Sequence, residues 1–147
     1  MSLDPPAPDP AAPDPKALAP EVVEFAHTMF ELARNGDAEQ LAAYLDAGVP
    51  VELTNSKGDC LLLLAAYMSS PPTVRALLER GADPNRLNDR GQTPIAAAAF
   101  RQSVESVMAL LAAGADPYLG SPDAVATARF FELPDMVALL TRGEVEG

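Results

Sequence analysis

Few side chains in this 147-residue chain could do chemistry, and they do not converge. There is one histidine, His27, and one cysteine, Cys60. A lone imidazole cannot build a two-histidine metal site, and no His-Glu-x-x-His spacing exists, so His27 reads as a surface residue beside an apolar helix face. A single cysteine excludes an intramolecular disulfide and a cysteine-based metal site. A reactive thiol needs an electropositive neighbour, and only Lys57 is near in sequence, so Cys60 reads as a small buried hydrophobe. The stretch Gly114 to Gly120 has neither the Gly-x-Gly-x-x-Gly spacing nor the lysine of a phosphate loop. The carboxylates Asp46, Asp83 and Asp116 return because the phrase around them returns, which marks them as structural rather than as a catalytic pair. No catalytic residue, cofactor or metal is expected.

The bulk numbers narrow the partners. The formal charge of −11 argues against nucleic acid, whose affinity comes from phosphates neutralised by Lys and Arg, and against an anionic membrane surface. Neither a signal peptide nor an apolar run of about 18 residues is visible, so the expected setting is the cytoplasm. With 48% hydrophobic residues the chain can bury a core, but only 5% are aromatic and none is Trp, so Leu, Val and Ala must supply it. Eight arginines to two lysines, with abundant Ala and Pro, fit the habit of a GC-rich bacterial genome.

The elements that hold these residues are set by a period. Leu77-Leu78-Glu79-Arg80-Gly81-Ala82-Asp83-Pro84-Asn85 returns as Leu110-Leu111-Ala112-Ala113-Gly114-Ala115-Asp116-Pro117, and in worn form as Leu45-Asp46-Ala47-Gly48-Val49-Pro50. Gly48, Gly81 and Gly114 fall 33 residues apart, as do Gly58 and Gly91. A constant step of this size marks a repeat solenoid, whose units bury their cores only by stacking. Before it, residues 1–20 hold seven of the fifteen prolines, including Asp4-Pro5-Pro6, Asp9-Pro10 and Asp14-Pro15, and read as a solvated, disordered leader. Residues 21–147 read as the repeat domain, in units of about 21–51, 52–84, 85–117 and 118–147. Val22, Phe25, Ala26, Met29, Phe30 and Ala33 follow helical rhythm. Asp37, Ser70 and Thr93 are positioned as helix caps, and Ser103 begins the second helix of the third unit. Asn55-Ser56-Lys57-Gly58 and Asn88-Asp89-Arg90-Gly91 are turn tips of short hairpin fingers. In the last unit Leu139-Leu140 lies 29 residues after Leu110-Leu111, four fewer than the period, which predicts a missing finger.

From Gly91-Gln92-Thr93-Pro94-Ile95 to Gly114-Ala115-Asp116, and again at Gly58, Ala65-Ala66, Leu77-Leu78 and Gly81-Ala82-Asp83, the chain resembles the ankyrin-repeat family. The resemblance implies an all-α repeat solenoid of helix-turn-helix units with short β-hairpin fingers. Two departures stand out: Cys60-Leu61 replaces Thr-Pro in the second unit, and Leu63 and Ala96 occupy the place of the family's histidine. That histidine ties units together by polar contacts, so stability here is expected to lean on apolar packing.

The resemblance also implies a non-catalytic protein-binding module, accessory or regulatory in role, that holds a polypeptide on its concave face. Carried onto this chain, the helix ends are Arg34-Asn35, Tyr67-Met68, Phe100-Arg101 and Arg129-Phe130, with Lys57 and Arg90 on the fingertips. The expected partner-binding residues are therefore Arg34, Lys57, Tyr67, Met68, Arg90, Phe100, Arg101, Arg129 and Phe130. Tyr and Arg are enriched at interface hot spots, and Met adapts to irregular partners. Five arginines between Arg75 and Arg101, against Glu79, Asp83 and Asp89, suggest a basic edge and a protein partner with an acidic surface. The chain is expected to act as a monomer. The alternative is a structural subunit that uses its outer helical face.

Overall fold

Seven-residue helices are too short to persist alone in water, where about 12–15 residues are needed even for favourable sequences. Four of the eight helices in the described residues of this chain have that length. The computed structural model describes residues 20–142, and within these it forms α1 (Pro20–Asn35), α2 (Ala38–Asp46), α3 (Leu61–Tyr67), α4 (Pro71–Glu79), α5 (Pro94–Phe100), α6 (Val104–Ala112), α7 (Ala124–Phe130) and α8 (Pro134–Leu140). The odd-numbered helices pack side by side in one layer, the even-numbered ones in a second, and each odd helix packs on the even helix that follows it. The expected leader lies outside the described residues except for Pro20, which opens α1.

The core is a set of rows that run across the units. Met29, Leu62, Ile95 and Val125 occupy corresponding places on α1, α3, α5 and α7, and all are buried. Leu77, Leu110 and Leu140 form the matching row of the second layer. Between the layers, Ala65, Ala66, Ala98, Ala99 and Ala128 are small enough to let the helices approach closely.

Four of the helix starts have a side-chain cap. Backbone N–H groups donate to Asp37 Oδ1 (from Gln40, 3.1 Å), Thr93 Oγ1 (from Ala96, 3.2 Å) and Asp123 Oδ1 (from Ala126, 2.6 Å). Cys60 stands in the same role, its sulfur accepting from Leu63 N at 3.4 Å. Ser70 and Ser103 precede their helices but bond elsewhere, Ser70 with the Thr73 hydroxyl and Ser103 with that of Ser106. At the helix exits Gly48, Gly81 and Gly114 all have positive φ, the conformation that makes glycine the favoured residue after a helix.

The fingers differ from the expected hairpins. Among the described residues no strand forms, and the sole bridge pair is Thr54 with Cys60. An asparagine side chain organises each tip instead. Asn55 Oδ1 accepts from Lys57 N (2.9 Å) and Asp59 N (3.0 Å); Asn88 Oδ1 accepts from Arg90 N (3.0 Å) and Gln92 N (2.9 Å). These bonds take up donors that a ladder would otherwise use. Asn88 Nδ2 also donates to Asp59 Oδ1 at 2.8 Å, and Asp89 N donates to Lys57 O at 3.1 Å, so one finger is fastened to the next.

Polar ties between units are more numerous than the missing histidine suggests. The backbone N–H of Asp83 donates to Glu52 Oε2 (2.7 Å), and that of Asp116 to Asn85 Oδ1 (2.8 Å), each joining the two ends of one unit where it meets the next. Arg80 grips Asp46 through two bonds of 2.9 and 3.2 Å, and Arg86 reaches Glu52 at 3.2 Å.

The last unit is shorter by three residues, not four. The starts of α3 and α5, and of α4 and α6, are 33 apart, whereas α5 to α7 and α6 to α8 are 30 apart. Leu140, not Leu139, therefore corresponds to Leu110, and Thr141 falls where Leu111 stood. The leucine pair misled because a helix accepts Leu at adjacent positions. The link from α6 to α7 contains a cis Ser121–Pro122 bond, and Ser121 N donates to Gly91 O at 3.0 Å. Gly120 sits against that same carbonyl, where a Cβ would come within 2.9 Å.

Three outcomes follow from these contacts. Replacing the buried Asn88 by Ala removes four hydrogen bonds and leaves Asp59 and two backbone donors short of partners. It should cost about 2–3 kcal/mol in urea unfolding, and Asn55→Ala clearly less, since Asn55 bonds only within its own turn. The Cys60 thiol is buried, and desolvation raises its pKa. Native protein should therefore alkylate far more slowly with iodoacetamide than urea-unfolded protein, and equal rates would refute the burial. The Asp46 carboxyl is held below its ordinary value of 3.8, first by the hydrogen bond from Arg80. Its stabilising contribution is present above the ordinary value and lost as pH falls through the depressed one. Carbon NMR titration should show that depression in the native chain and its relief in Arg80→Gln.

Candidate functional site

Four helix ends finish on one side of the stack because each is followed by the same left-handed turn. Gly36, Ser69, Gln102 and Glu132 have φ of 73°, 56°, 57° and 54°, and each stands two residues before the next helix. Three of these are not glycine, each at a cost of about 1 kcal/mol. The turn is thus imposed by the tight reversal between paired helices rather than by local preference. It brings α1, α3, α5 and α7 to a common end and lines up what they carry there.

The alignment makes a row of rings. Tyr67 and Phe100 stack nearly parallel, 15° apart with centroids at 6.3 Å. Phe100 meets the edge of Phe131 at 5.3 Å, and Phe131 meets Phe130 at 5.0 Å. The contacts leave much of the row in water: Tyr67 is 50% exposed, Phe100 42%, Phe131 48% and Phe130 79%, with Met68 at 45% beside them. Burying one such ring is worth about 1.5–3 kcal/mol. Contiguous exposed apolar surface of this kind marks an interaction site.

The thirty-residue step of the last unit changes the row's membership. Phe130, not Arg129, corresponds to Phe100 and Tyr67, and Phe131 corresponds to Arg101 and Met68. Phe131 was missed in the sequence because the leucine pair set the register one residue off. The helix-start prolines Pro71 and Pro134 carried the better signal. Arg129 remains exposed near the row and borders an open depression of about 540 Å³ with Ala128, Glu132, Leu133, Pro134 and Val137. In the first unit Arg34 holds the corresponding place and pairs with Glu31 at 2.9 Å.

Charge is distributed differently from the count along the sequence. Of the five arginines between 75 and 101, three are engaged across units: Arg75 with Glu105 at 3.6 Å, Arg80 with Asp46 at 2.9 Å and Arg86 with Glu52 at 3.2 Å. Arg90 and Arg101 are left, and with Lys57 and Arg129 they form no ion pair among the described residues. All four are exposed. The cations available to a ligand are therefore those of the fingertips and helix ends.

The residues considered for chemistry lie apart from this face or from one another. His27 is exposed on α1, Cys60 is buried at the start of α3, the Asp46 carboxylate is held by Arg80 of the next unit, and that of Asp83 accepts from Asn85 N. Among the described residues no cluster of three or more His, Cys, Asp or Glu could hold a metal, and no helix is long and apolar enough to cross a membrane.

Known proteins place this architecture. Over 55 residues the chain is 47% identical to the ankyrin repeat protein PA3287 of Pseudomonas aeruginosa, a stretch that covers 37% of this chain and 32% of that protein. Its fold is similar to the crystal structure of the human ASB11 ankyrin repeat domain, with a TM-score of 0.72 and 26% identity over 78% of this chain and 53% of that one. The chain thus spans about a third of the one relative and half of the other. Ankyrin repeats form a non-enzymatic scaffold family that serves generally in protein–protein interaction. The family model for ankyrin repeats, in three copies, matches residues 29–120, well over half of the sequence, and the chain belongs to the ankyrin-repeat family.

Proposed function

We propose that this chain is a non-catalytic binding module that holds another polypeptide on its concave face and acts as a monomeric accessory or regulatory protein in the cytoplasm. The observation that carries the reading is the exposed row Tyr67, Phe100, Phe131 and Phe130, which has no role in the core and is large enough to anchor a partner. Phe100 is its centre, touching rings on both sides. Large rings with only two side-chain torsions lose little freedom on binding, which suits them to hot spots. Arg101 and Arg129 supply positive charge beside the row, and Lys57 and Arg90 supply it at the fingertips, so the fitting partner is a polypeptide with carboxylates near apolar anchors. Complementary charge would set the speed and selectivity of docking, and the rings its strength.

A second reading, a structural subunit that docks through the outer layer, is favoured by Val104 and Met108, which lie about half exposed on α6. The two readings separate in one experiment. Affinity capture from a cell lysate would compare the wild-type chain with a Tyr67→Ala, Phe100→Ala, Arg101→Glu variant and with a Val104→Ser, Met108→Gln variant, after each is shown to melt cooperatively. The expected outcome is a protein retained by the wild type and the outer-face variant but lost from the ring variant. Retention by the ring variant together with loss from the outer-face variant would transfer the function to the outer layer.

A further inference from the structure

The aromatic row has a candidate occupant within the chain itself. We infer that residues 1–19 dock on the row formed by α3, α5 and α7 and compete there with an outside partner; this rests on the reading of that row as a binding face.

The chemistry of the two surfaces is complementary. The segment contains six prolines and three Asp-Pro pairs, at Asp4, Asp9 and Asp14, with Lys16 as its one cationic side chain. Proline-rich chain is already extended and stiff, and its rings pack on exposed aromatic faces with little further loss of freedom. The row offers four partly exposed rings in succession. Beside them Arg101 and Arg129 form no ion pair among the described residues, and each can take a carboxylate. Of the acids at this end, Glu31 is engaged by Arg34, Glu105 by Arg75 and Asp37 by the Gln40 N–H, while Glu132 stands in the turn that follows Phe131 and Asp135 in the first turn of α8.

The lengths also agree. In extended polyproline form 19 residues span about 59 Å. The segment ends at Pro20, and the 16 residues of α1 separate that point from the helix-end face by about 24 Å. About 35 Å remains to cross from α1 to α7, three helix spacings of about 8–10 Å each. Aspartates five residues apart recur about every 15 Å along such a chain. Tethering raises the local concentration of the segment to the millimolar range, enough for weak contacts to occupy the face.

The full chain tests this directly. Cys60 is buried, so a Ser2→Cys variant accepts a nitroxide label at the new thiol alone. Amide signals of Tyr67, Phe100, Arg101, Phe130 and Phe131 should lose intensity relative to the reduced label. The loss should disappear when Asp4, Asp9 and Asp14 are all changed to Lys. A loss spread evenly over the surface, or absent from the row, overturns the inference. So does a loss seen only when labelled chains are mixed with separate isotope-labelled chains, because the docking is then between copies. The outcome is independent of the capture experiment: a row that binds a partner but never meets the segment leaves the proposed function standing. A row that meets the segment while capture ignores the ring variant removes that function and keeps this contact.

Discussion

The units after the first depend on their neighbours to exist, because helices of seven to nine residues cannot close enough hydrogen bonds to offset the loss of backbone freedom. The compensation is lateral. Leu62, Ile95 and Val125 stand in one buried row, so each helix completes its core with residues of the units beside it. Stability in such an array is a sum of weak units and strong interfaces, and removing a side chain from one row weakens two interfaces at once. Val137 shows the boundary of this arrangement. It corresponds to the fully buried Val107 and Val74, yet it is only partly covered, because no described unit lies beyond α8.

The same register that aligns the core aligns the surface. Once Ile95 sits beside Leu62, the helix ends follow, and Phe100 must lie beside Tyr67. The left-handed turns at Ser69, Gln102 and Glu132 hold that alignment despite their unfavourable conformation. The aromatic row is therefore a consequence of stacking geometry applied to residues the core does not need. Leu64 and Ala97, one turn earlier on the same helices, pack against the core instead.

The repeat was legible because it is written in residues with sharp conformational meaning. Glycines after helices and Asp37 and Thr93 as caps each perform a local backbone task that tertiary structure did not override. The register of the fourth unit was not legible from Leu139-Leu140, since leucine reports only burial and both residues are buried there. The charges were harder still. Arg80 and Asp46 are 34 residues apart, as are Arg86 and Glu52, so proximity along the chain could not show that they pair across units. A count of arginines between 75 and 101 consequently overstated the basic surface. The candidate site was legible at Tyr67, Phe100 and Phe130 and illegible at Phe131, because identifying that ring required the thirty-residue step.

The bonds between units explain how the row can stay aligned without the family's histidine. Glu52 and Asn85 hold corresponding places, and each accepts the backbone N–H of the aspartate that opens the following exit loop. That aspartate in turn accepts from a backbone N–H two residues later, from Asn85 in one unit and from Tyr118 in the next. Asn85 belongs to both sets, receiving order from the second unit and passing it to the fourth. The relay works from the backbone, at the base of the units, and leaves the positions of Leu63 and Ala96 to apolar packing. Side chains that set the spacing of successive helices also set the spacing of the rings at their ends. A face ordered before it meets a partner loses less conformational freedom on binding. In this chain the polar relay at the base and the exposed rings at the helix ends are two consequences of a single constraint, the constant distance between stacked units.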